Sequence, residues 1–425
     1  MDANHNFLAS EIDAADVWPE SLHHPSLTPE DLAALDGDAL GEVPLVSAII
    51  PCLNEEKTLG ICIRKAFDAF AARGIRGEVV VGDNGSTDNS VRIARAHGAR
   101  VIHQSIRGYG AAIQAAAEAA RGEYLIMADA DDSYDWSGLD VFIEALEGGA
   151  ELVMGNRFAG GIEPGAMPPL HRYLGNPVLS AIGRWLYRSP IRDFHCGMRG
   201  FTRDAFVRIG ARSPGMEFAS EMVINAHRAG LDIREVPIKL YPDKRDRPPH
   251  LRSFRDGWRH LRLIIARAPD VVYLVPGFTL LVVGMIGLAA LASGPVRIFG
   301  HYLGIHFVAL ATMSTLIGLS AILLGTLAKV AIASYHPVEG EKIVPWLARA
   351  RAVEGLVFIG AILAGAGFTA DFLLALRWIL VGGNMEQSVH LAFVITTACV
   401  AGVTMVLTGF VLKLLLDNLS HRHGF

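Results

Sequence analysis

Four long apolar stretches in the second half of the chain set the strongest limit on its fold. They cover residues 271–292, 304–330, 352–370 and 389–416. Each is long enough to cross a bilayer as a helix, which takes about 20 residues. The apolar fraction of 51% is high for a soluble protein, and the excess lies after Pro269. The sequence therefore predicts an α-helical membrane domain with four transmembrane helices over residues 271–425.

Basic residues near the ends of these stretches predict their orientation. They collect before the first stretch, from the end of the second to the start of the third, and from the end of the fourth onward: Arg267, Lys329, Lys342, Arg349, Arg351, Lys413 and Arg422. The other two connectors carry little beyond Arg297 and Arg377. Because Lys and Arg are enriched in cytoplasmic loops, both termini are expected in the cytoplasm. Asp371 is expected at the outer end of the third span.

A basic amphipathic helix is predicted directly before the first span, within residues 251–270. Over residues 253–267, one face carries Phe254, Trp258, Leu261 and Ile265, and the other is largely arginine: Arg252, Arg255, Arg259 and Arg262. This pattern is typical of a helix that lies on an anionic membrane surface. An ordinary surface helix is the alternative, but the neighbouring apolar stretch favours the membrane.

The N-terminal residues 1–44 differ in charge from the rest of the chain. They contain ten acidic residues and no Lys or Arg, so an overall net charge of −5 leaves the remainder basic. We expect this extension to be disordered or loosely docked, and to include no signal peptide. The net charge argues against nucleic acid as a partner. The four cysteines have no paired spacing, which indicates neither a disulfide framework nor a zinc site.

Residues 45–250 are predicted to form an α/β domain. Short β-type runs at 46–50, 78–81, 101–103, 124–127 and 151–155 alternate with helical stretches. Those helices are predicted at 56–73, up to residue 97, and at 111–121, 139–147, 177–187 and 218–229. Such alternation indicates βαβ units and a mostly parallel sheet.

The most informative stretch is L-I-M-A-D-A-D-D-S-Y-D at residues 125–135. An apolar strand is followed at once by Asp129, Asp131, Asp132 and Asp135. Ligands of open α/β sheets bind at the carboxyl ends of the strands. Two carboxylates one residue apart at such an edge suit a hard divalent cation shared with a diphosphate. A polar turn after a strand is the alternative, since Asp is common in turns.

Two other predicted strands end in comparable polar motifs. The first ends in P-C-L-N-E-E at 51–56, and the second in D-N-G-S-T-D at 83–88. Both offer acceptor groups and exposed backbone suited to a nucleobase and ribose. Gly85 permits a turn with positive φ, and Ser86 is predicted to cap the next helix. Three such motifs in order, each after a strand, strongly indicate a nucleotide-binding site at this edge of the sheet.

Together with R-G-Y-G-A-A at 107–112, these motifs resemble the family 2 glycosyltransferases. The closer resemblance is to the polyprenyl-phosphate glycosyltransferases, the dolichyl-phosphate mannose synthase group. It covers about residues 46–267, and the four spans match members with membrane helices after the catalytic domain. The resemblance implies a Rossmann-like, GT-A type domain. It also implies inverting transfer of a single sugar from a UDP- or GDP-linked nucleotide sugar to polyprenyl phosphate at the cytoplasmic membrane face.

The resemblance also implies a donor site and a metal site. Carried over by motif, the nucleotide-binding residues are Pro51, Leu53, Glu55, Asp83, Asn84, Asp129 and Ala130. Asn84 stands where the family has a second Asp. The implied cofactor is Mg2+ or Mn2+, held by Asp131 and Asp129. Ser133 stands where the family often has Gln, and it is a candidate third ligand.

Three arginines are implied on the acceptor side. Arg157 lies in G-N-R-F, Arg172 in H-R-Y, and Arg247 in R-D-R-P-P-H-L-R. A lipid phosphate needs fixed cationic donors, and arginine offers bidentate contacts. Any one of the three considered alone is as well explained as a surface charge. Asp129 and Asp131 complete the predicted catalytic set.

Two further motifs and two competing functions remain. Glu221 matches a family position suited to holding an arginine or the acceptor loop, and D-F-H-C at 193–196 suggests a structural or acceptor-lining role rather than a metal site.

A processive polysaccharide synthase is the nearest alternative enzyme, but no Q-x-x-R-W motif precedes the spans. A non-catalytic membrane scaffold or lipid transporter with a degenerate sugar-binding domain is the other. The sequence leaves open the sugar and whether the protein forms a homo-oligomer.

Overall fold

The computed structural model describes residues 43–244, 253–333, 343–349, 351–381 and 389–423. Several predicted features lie outside the described residues, namely residues 1–42 of the acidic extension, Arg247, Arg252 and Lys342. Apart from Val43, the described residues belong to one compact unit, residues 44–425.

Within the described residues, seven strands form one sheet. The strands are β1 Val46–Cys52, β2 Gly77–Asp83, β3 Arg100–His103, β4 Tyr124–Met127, β5 Leu152–Asn156, β6 Arg199–Thr202 and β7 Ile233–Pro237. Their spatial order is β3-β2-β1-β4-β6-β5-β7. All neighbouring pairs are parallel except the two that include β6, which runs antiparallel to β4 and β5. The predicted mostly parallel sheet is therefore confirmed.

Helices cover both faces of this sheet and connect its strands. They are α1 Leu59–Arg73, α2 Ser90–Ala96, α3 Tyr109–Ala119, α4 Asp140–Glu147, α5 Arg157–Gly160, α6 Asn176–Tyr187, α7 Arg203–Ile209 and α8 Phe218–Arg228. A π-helical turn at His171–Gly175 precedes α6. The bounds of α1, α3, α4, α6 and α8 agree with the predicted helices to within about three residues at each end, and α2 ends one residue before the predicted end, whereas α5 and α7 were not predicted.

The central strands are apolar along their whole length because both of their faces are buried. Alternate residues of a strand point to opposite faces. Ile50 of β1 accordingly packs with α1 and α4, whereas its neighbour Ile49 packs with α3 and α8. Strand order reverses between β1 and β4, and the crevice outside the carboxyl ends of strands at such a point is where open α/β sheets bind ligands.

In the described part of the second half, four helices are long and apolar enough to cross a membrane, and they cover Asp270–Leu291, Ile305–Ala333, Ala352–Leu380 and Val389–Asn418. The first of them consists of a π-helical turn at Asp270–Leu274 and α10 Val275–Leu291, and the other three lie in α11 Ile305–Ala333, α13 Ala352–Val381 and α14 Val389–His423, with a short α12 at Ile343–Arg349. Strands β8 Val296–Ile298 and β9 His301–Leu303 form a hairpin between the first two. The third helix extends past the predicted end at residue 370. Asp371 therefore lies within it, and accepts a hydrogen bond of 3.1 Å from the Thr396 hydroxyl.

Helix α9, Ser253–Ala266, occupies the position of the predicted amphipathic helix. Its Phe254 and Trp258 side chains are exposed, at 85% and 61%. The opposite face packs against α6 and α8 through Ile264, whose carbonyl accepts a hydrogen bond of 2.6 Å from the Tyr187 hydroxyl. The exposed aromatic side chains are therefore left on the side away from the α/β domain.

Candidate active site

The three predicted strand-end motifs meet at the carboxyl edge of the sheet. The register pairs Cys52 at the end of β1 with Asp83 at the end of β2, and Ile49 of β1 with Met127 at the end of β4. The chain therefore leaves all three strands side by side. The structure thus brings together the predicted nucleotide and metal residues: Pro51, Leu53, Glu55, Asp83, Asn84, Asp129, Ala130, Asp131 and Ser133.

Asp83 organises the turn that follows β2. Its carboxylate accepts hydrogen bonds from the backbone N–H of Ser86 at 3.0 Å and of Gly85 at 3.3 Å, and it lies 3.0 Å from His103 Nδ1. Burial by itself would raise the pKa of Asp83, but the bonds from Ser86, His103 and Gly85 lower it. Gly85 has a φ of +88°, as predicted. The carboxylate is therefore ionised and committed to the turn.

Ser86 has a different role from the predicted one. Its hydroxyl accepts a hydrogen bond of 3.0 Å from the backbone N–H of Asn54, so it links the turn after β2 to the loop after β1. Helix α2 begins only at Ser90, four residues later, and Ser86 does not cap it. The prediction of a cap was wrong because the chain makes a second turn between Ser86 and the helix.

Asn84 holds the Gly-rich loop in place. Its side-chain amide donates to the carbonyls of Gln104 at 3.2 Å and Ile106 at 2.7 Å, and its oxygen accepts from the N–H of Gly108 at 2.7 Å. An aspartate cannot make the two donor contacts. Asn84 therefore has a structural role: it holds the R-G-Y-G segment beside the strand ends.

Asp129 is oriented by aromatic side chains. The Tyr109 hydroxyl donates to Asp129 Oδ1 at 2.9 Å, and the Trp136 indole donates to the Asp129 carbonyl at 3.3 Å. Burial, together with the charge of Asp129, raises the pKa of Tyr109 well above its usual value. The phenol therefore keeps its proton and acts as the donor. A Cβ at Gly197 would lie 3.0 Å from Asp129 Oδ2 and 3.1 Å from the Tyr134 hydroxyl, so any other residue would crowd this carboxylate.

Asp131 and Ser133 form the second part of the edge. Asp131 is buried, and its Oδ1 accepts from the Ser133 hydroxyl at 2.6 Å and the Ser133 N–H at 3.0 Å. Among the described residues, no group of three or more His, Cys, Asp or Glu side chains is arranged as a metal site. The donor set here is two carboxylates and a hydroxyl. Such an all-oxygen set fits Mg2+ or Mn2+, which is commonly bound through one or two carboxylates plus phosphates and water.

The predicted acceptor arginines lie in two different settings. Arg157 is buried, and its Nε and Nη2 each donate to Asp193 at 2.7 Å, while Nη1 lies 3.5 Å from the Tyr134 hydroxyl. Arg172 is half-buried, with Nη1 3.4 Å from the Ile162 carbonyl and its guanidinium 5.6 Å from the Tyr173 ring. Arg247 lies outside the described residues.

Tyr134 connects Arg157 to the strand edge. Its hydroxyl accepts a hydrogen bond of 2.8 Å from the N–H of Gly197, the residue whose missing side chain makes room for Asp129. Burial raises the pKa of Tyr134 well above its usual value, so it remains a neutral phenol. A continuous set of contacts therefore runs from Asp193 through Arg157 and Tyr134 to the neighbourhood of Asp129.

Sequence reasoning missed Arg199 and the contacts around D-F-H-C. Arg199 is fully buried and donates to the carbonyls of Cys196, Ala219 and Phe194 at 2.8, 2.6 and 3.1 Å. The sequence feature that could have indicated this role is the arginine three residues after Cys196. These bonds fold the 193–199 segment against α8, and they explain why a charged residue occupies the short strand β6.

A buried polar cluster joins this segment to α9. The Ser220 hydroxyl lies 3.1 Å from His195 Nε2 and 2.8 Å from His260 Nδ1, and the two histidine rings are 4.7 Å apart. Glu221 pairs with Arg267 at 2.6 Å and also accepts from the N–H groups of Arg212 and Ser213. Glu221 thus holds an arginine, and this arginine is at the end of α9. Both clusters attach α9 to α8.

A mostly parallel α/β sheet with carboxylates at the point where strand order reverses, followed by four apolar helices, defines a class of membrane-attached enzymes. Residues 47–210 match the Glycosyl transferase family 2 profile, and residues 326–416 match the Glycosyltransferase family 2 C-terminal transmembrane region. The chain belongs to glycosyltransferase family 2, and it is a glycosyltransferase and a membrane protein. The predicted family, enzyme class and fold are confirmed.

Among its relatives is the low-salt glycan biosynthesis hexosyltransferase Agl6 of Haloferax volcanii, 37% identical over 394 residues that cover 92% of each chain. A dolichyl-phosphate hexose transferase of the same organism is 32% identical over 45% of this chain and 81% of that protein. A glucosyl-3-phosphoglycerate synthase from Mycobacterium tuberculosis, solved with Mn2+, UDP-glucose and phosphoglyceric acid, has a TM-score of 0.41 and 23% identity over 58% of this chain and 84% of that one.

Proposed function

We propose that the protein transfers a single hexose from a UDP- or GDP-linked nucleotide sugar to a polyprenyl phosphate, with inversion at the anomeric carbon. The observation that carries this proposal is the pair Asp129 and Asp131 at the strand edge of a chain that continues into four apolar helices. This arrangement suits a water-soluble donor that must meet a lipid-bound acceptor. The names of two relatives, a hexosyltransferase and a dolichyl-phosphate hexose transferase, support it.

In the proposed donor site, Pro51, Leu53 and Glu55 line the nucleoside. Asp83 and Asn84 shape its floor through the turn and the Gly-rich loop that they hold. Asp129 and Ala130 lie beside the ribose and diphosphate. Because the side chains of Asp83, Asn84 and Asp129 are held by hydrogen bonds within the protein, the donor meets a preformed surface rather than one that it must order.

Asp131 and Asp129, with Ser133, are the proposed ligands of Mg2+ or Mn2+. When bound, such an ion stabilises the negative charge that develops on the departing diphosphate. The chain's own contribution is orientation. The hydroxyls of Tyr109 and Ser133 each hold one carboxylate oxygen, at 2.9 and 2.6 Å, and so fix both side chains at the edge.

The acceptor phosphate needs positioning rather than activation. A phosphate monoester is largely ionised at neutral pH, so it attacks the anomeric carbon without a strong general base. We propose that Arg172 and Arg247 bind its oxygens, and that Arg157 contributes through Nη1, whose 3.5 Å contact with Tyr134 is weak. Alignment opposite the leaving diphosphate produces inversion.

The proposed site lies at the cytoplasmic face of the membrane, where nucleotide sugars are made. The connector that follows the second span carries Arg349 and Arg351, which favours a cytoplasmic location for that connector and for both termini. Helix α9 supports the same arrangement, because its exposed Phe254 and Trp258 can enter the lipid headgroup region next to the first span.

A transfer assay with the purified full-length protein tests the proposal. UDP- and GDP-linked hexoses are supplied in turn with Mn2+ or Mg2+ and a polyprenyl phosphate, and the lipid product is sized by mass spectrometry. We expect one donor to give a product with one added hexose, and chelation of the metal to abolish it. Products with several added sugars would instead favour a processive synthase. If every donor fails, and Asp131→Ala leaves UDP and GDP binding unchanged, the protein is a non-catalytic scaffold.

A further inference from the structure

The D-A-D-D motif contains a carboxylate that the proposed metal site does not use. Asp132 is the residue after Asp131, and its side chain is only 1% exposed. Its Oδ1 lies 2.7 Å from Lys65 Nζ and its Oδ2 lies 2.6 Å from Lys244 Nζ. Both oxygens are therefore engaged by ammonium groups. A buried carboxylate is tolerated when it is paired in this way.

The two lysines come from separate parts of the chain. Lys65 lies in α1, and Lys244 follows β7, so Asp132 joins three segments at one point. The backbone supports the same junction: the N–H of Tyr241 donates to the Ser133 carbonyl at 2.9 Å, and the N–H of Lys244 lies 3.3 Å from the Asp131 carbonyl. The segment that leads towards Arg247 is thus paired along the loop that carries Asp131.

The backbone of Asp132 is also unusual. Its φ is +60°, a left-handed conformation that few residues other than Gly, Asn and Asp adopt readily. This turn separates two neighbouring carboxylates, so that Asp131 bonds to Ser133 while Asp132 bonds to the lysines. The lysines also offset one of the negative charges that would otherwise repel each other within the motif.

We propose that Asp132 is a positioning residue, which together with Lys65 and Lys244 forms a clasp that fixes the metal-binding loop and attaches residues 241–244 to it. This inference rests on the proposed metal site at Asp129 and Asp131. The clasp orients Asp131 for the cation, and it holds the donor side and residues 241–244 in one arrangement. Asp132 does not bind the cation itself.

Mn2+ binding by the full-length protein in the presence of UDP tests the clasp directly, by electron paramagnetic resonance of free Mn2+. Loss of a group that orients a metal ligand costs about 10- to 100-fold in metal affinity. We expect a loss in that range for Asp132→Asn, which tolerates positive φ, and about tenfold for Lys65→Met and Lys244→Met. Lys244→Arg should recover most of the affinity.

Lys239→Met is the matched control, because Lys239 lies five residues before Lys244 and pairs with Glu163 at the surface. Its Mn2+ affinity should stay within about twofold of the wild type, as for an exposed ion pair. If Lys244→Met behaves like Lys239→Met, the clasp is refuted. It is also refuted if Asp132→Asn abolishes Mn2+ binding while both lysine variants retain it, since Asp132 is then a ligand.

Hydrogen exchange separates failure of the clasp from failure of the proposed function. If the wild-type protein binds no Mn2+ with UDP, the metal site is wrong, but the clasp still predicts slow exchange at the amides of Tyr241 and Lys244. These amides should exchange faster in Asp132→Asn and Lys244→Met, and at the wild-type rate in Lys239→Met. Equal rates in all variants would overturn the clasp independently of any metal.

Discussion

The donor edge and the acceptor side of this protein are built in different ways. At the donor edge, carboxylates are held in short turns at the strand ends, as Asp83 is by Gly85 and Ser86, and Asp131 by Ser133, and hydrogen bonds from other segments, such as that from Tyr109 to Asp129, add to these turns. On the acceptor side, the contacts join distant segments. Arg157 pairs with Asp193, 36 residues away, and Glu221 pairs with Arg267, 46 residues away.

This difference predicts that substitutions in the two regions affect stability and activity differently. At the donor edge, the strands beneath the turns are held by an apolar core, so we expect loss of the turn bonds of Asp83 or Asp131 to cost little stability. The acceptor side depends on buried charge pairs, in which loss of one partner leaves the other uncompensated. Substitutions at the donor edge should therefore reduce activity more than stability, and those on the acceptor side should do the reverse.

The largest effect on stability is expected from Asp193→Ala. It leaves the Arg157 guanidinium buried without its bidentate partner, which costs about 4 kcal/mol and lowers the melting temperature by about 10 °C. Thermal unfolding of the full-length protein in detergent measures this change. The exposed pair Asp232–Arg234 is the control, and Asp232→Ala should cost less than about 1 kcal/mol. Replacing both Arg157 and Asp193 by apolar residues should recover much of the loss, and a double variant as unstable as Asp193→Ala would contradict this account.

The largest effect on activity alone is expected from Asp131→Asn. The amide keeps the shape of the side chain but removes a charge that the metal requires, so transfer should fall by a few hundredfold, or about 3.5 kcal/mol. The melting temperature should change by no more than a few degrees. Asp140→Asn, at an exposed carboxylate in α4, should retain wild-type activity. If Asp131→Asn unfolds the protein as readily as Asp193→Ala, the two regions do not differ as described.

The same difference explains what the sequence could predict. The strands β1, β2 and β4 and their motifs are local patterns, so the donor edge and the mostly parallel sheet follow from the chain alone. Strands β6 and β7 were missed because their signal is not local. The four residues of β6 include Arg199, whose charge is buried only because carbonyls of two other segments receive it.

The membrane spans and α9 illustrate the same limit. Apolar length predicts four spans, but the end of the third was placed too early because Asp371 interrupts the apolar pattern without ending the helix. The arginine-rich face of α9 could be predicted from the sequence. The packing of α9 against α6 and α8 through Asp256, His260 and Ile264 could not. Those three residues lie four apart and form a buried stripe only once α6 and α8 are in place.

Lowering the pH should destabilise the acceptor side through protonation of His260. Burial, and to a smaller extent the charge of Arg199, lower the pKa of His260 to about 4, although Asp256 opposes the shift. An unfolded histidine has a pKa of about 6.5, so the unfolded state binds more protons between pH 6.5 and 4, and stability falls as the pH falls through this range. By pH 5 the loss is about 2 kcal/mol.

Hydrogen exchange of α9 measures this effect. After correction for intrinsic rates, opening of α9 should increase about 20-fold between pH 7 and pH 5. His260→Gln should remove most of this increase, whereas His97→Gln, directly after α2, should not. An unchanged pH dependence in His260→Gln would assign the effect to His195, whose pKa burial also lowers well below its usual value.

The smallest effect is expected from Tyr109→Phe, and it tests the donor edge most finely. The substitution removes only the hydrogen bond of 2.9 Å to Asp129, and a bond to a charged group contributes about 1.5 kcal/mol, or roughly tenfold in kcat/KM. Stability should be nearly unchanged, since the ring still packs against the core. Tyr124→Phe changes a tyrosine at the opposite end of β4, and it should leave the rate unaffected. If both variants have the same kcat/KM, orientation of Asp129 does not limit transfer, and the rate must depend instead on how the acceptor side holds the phosphate.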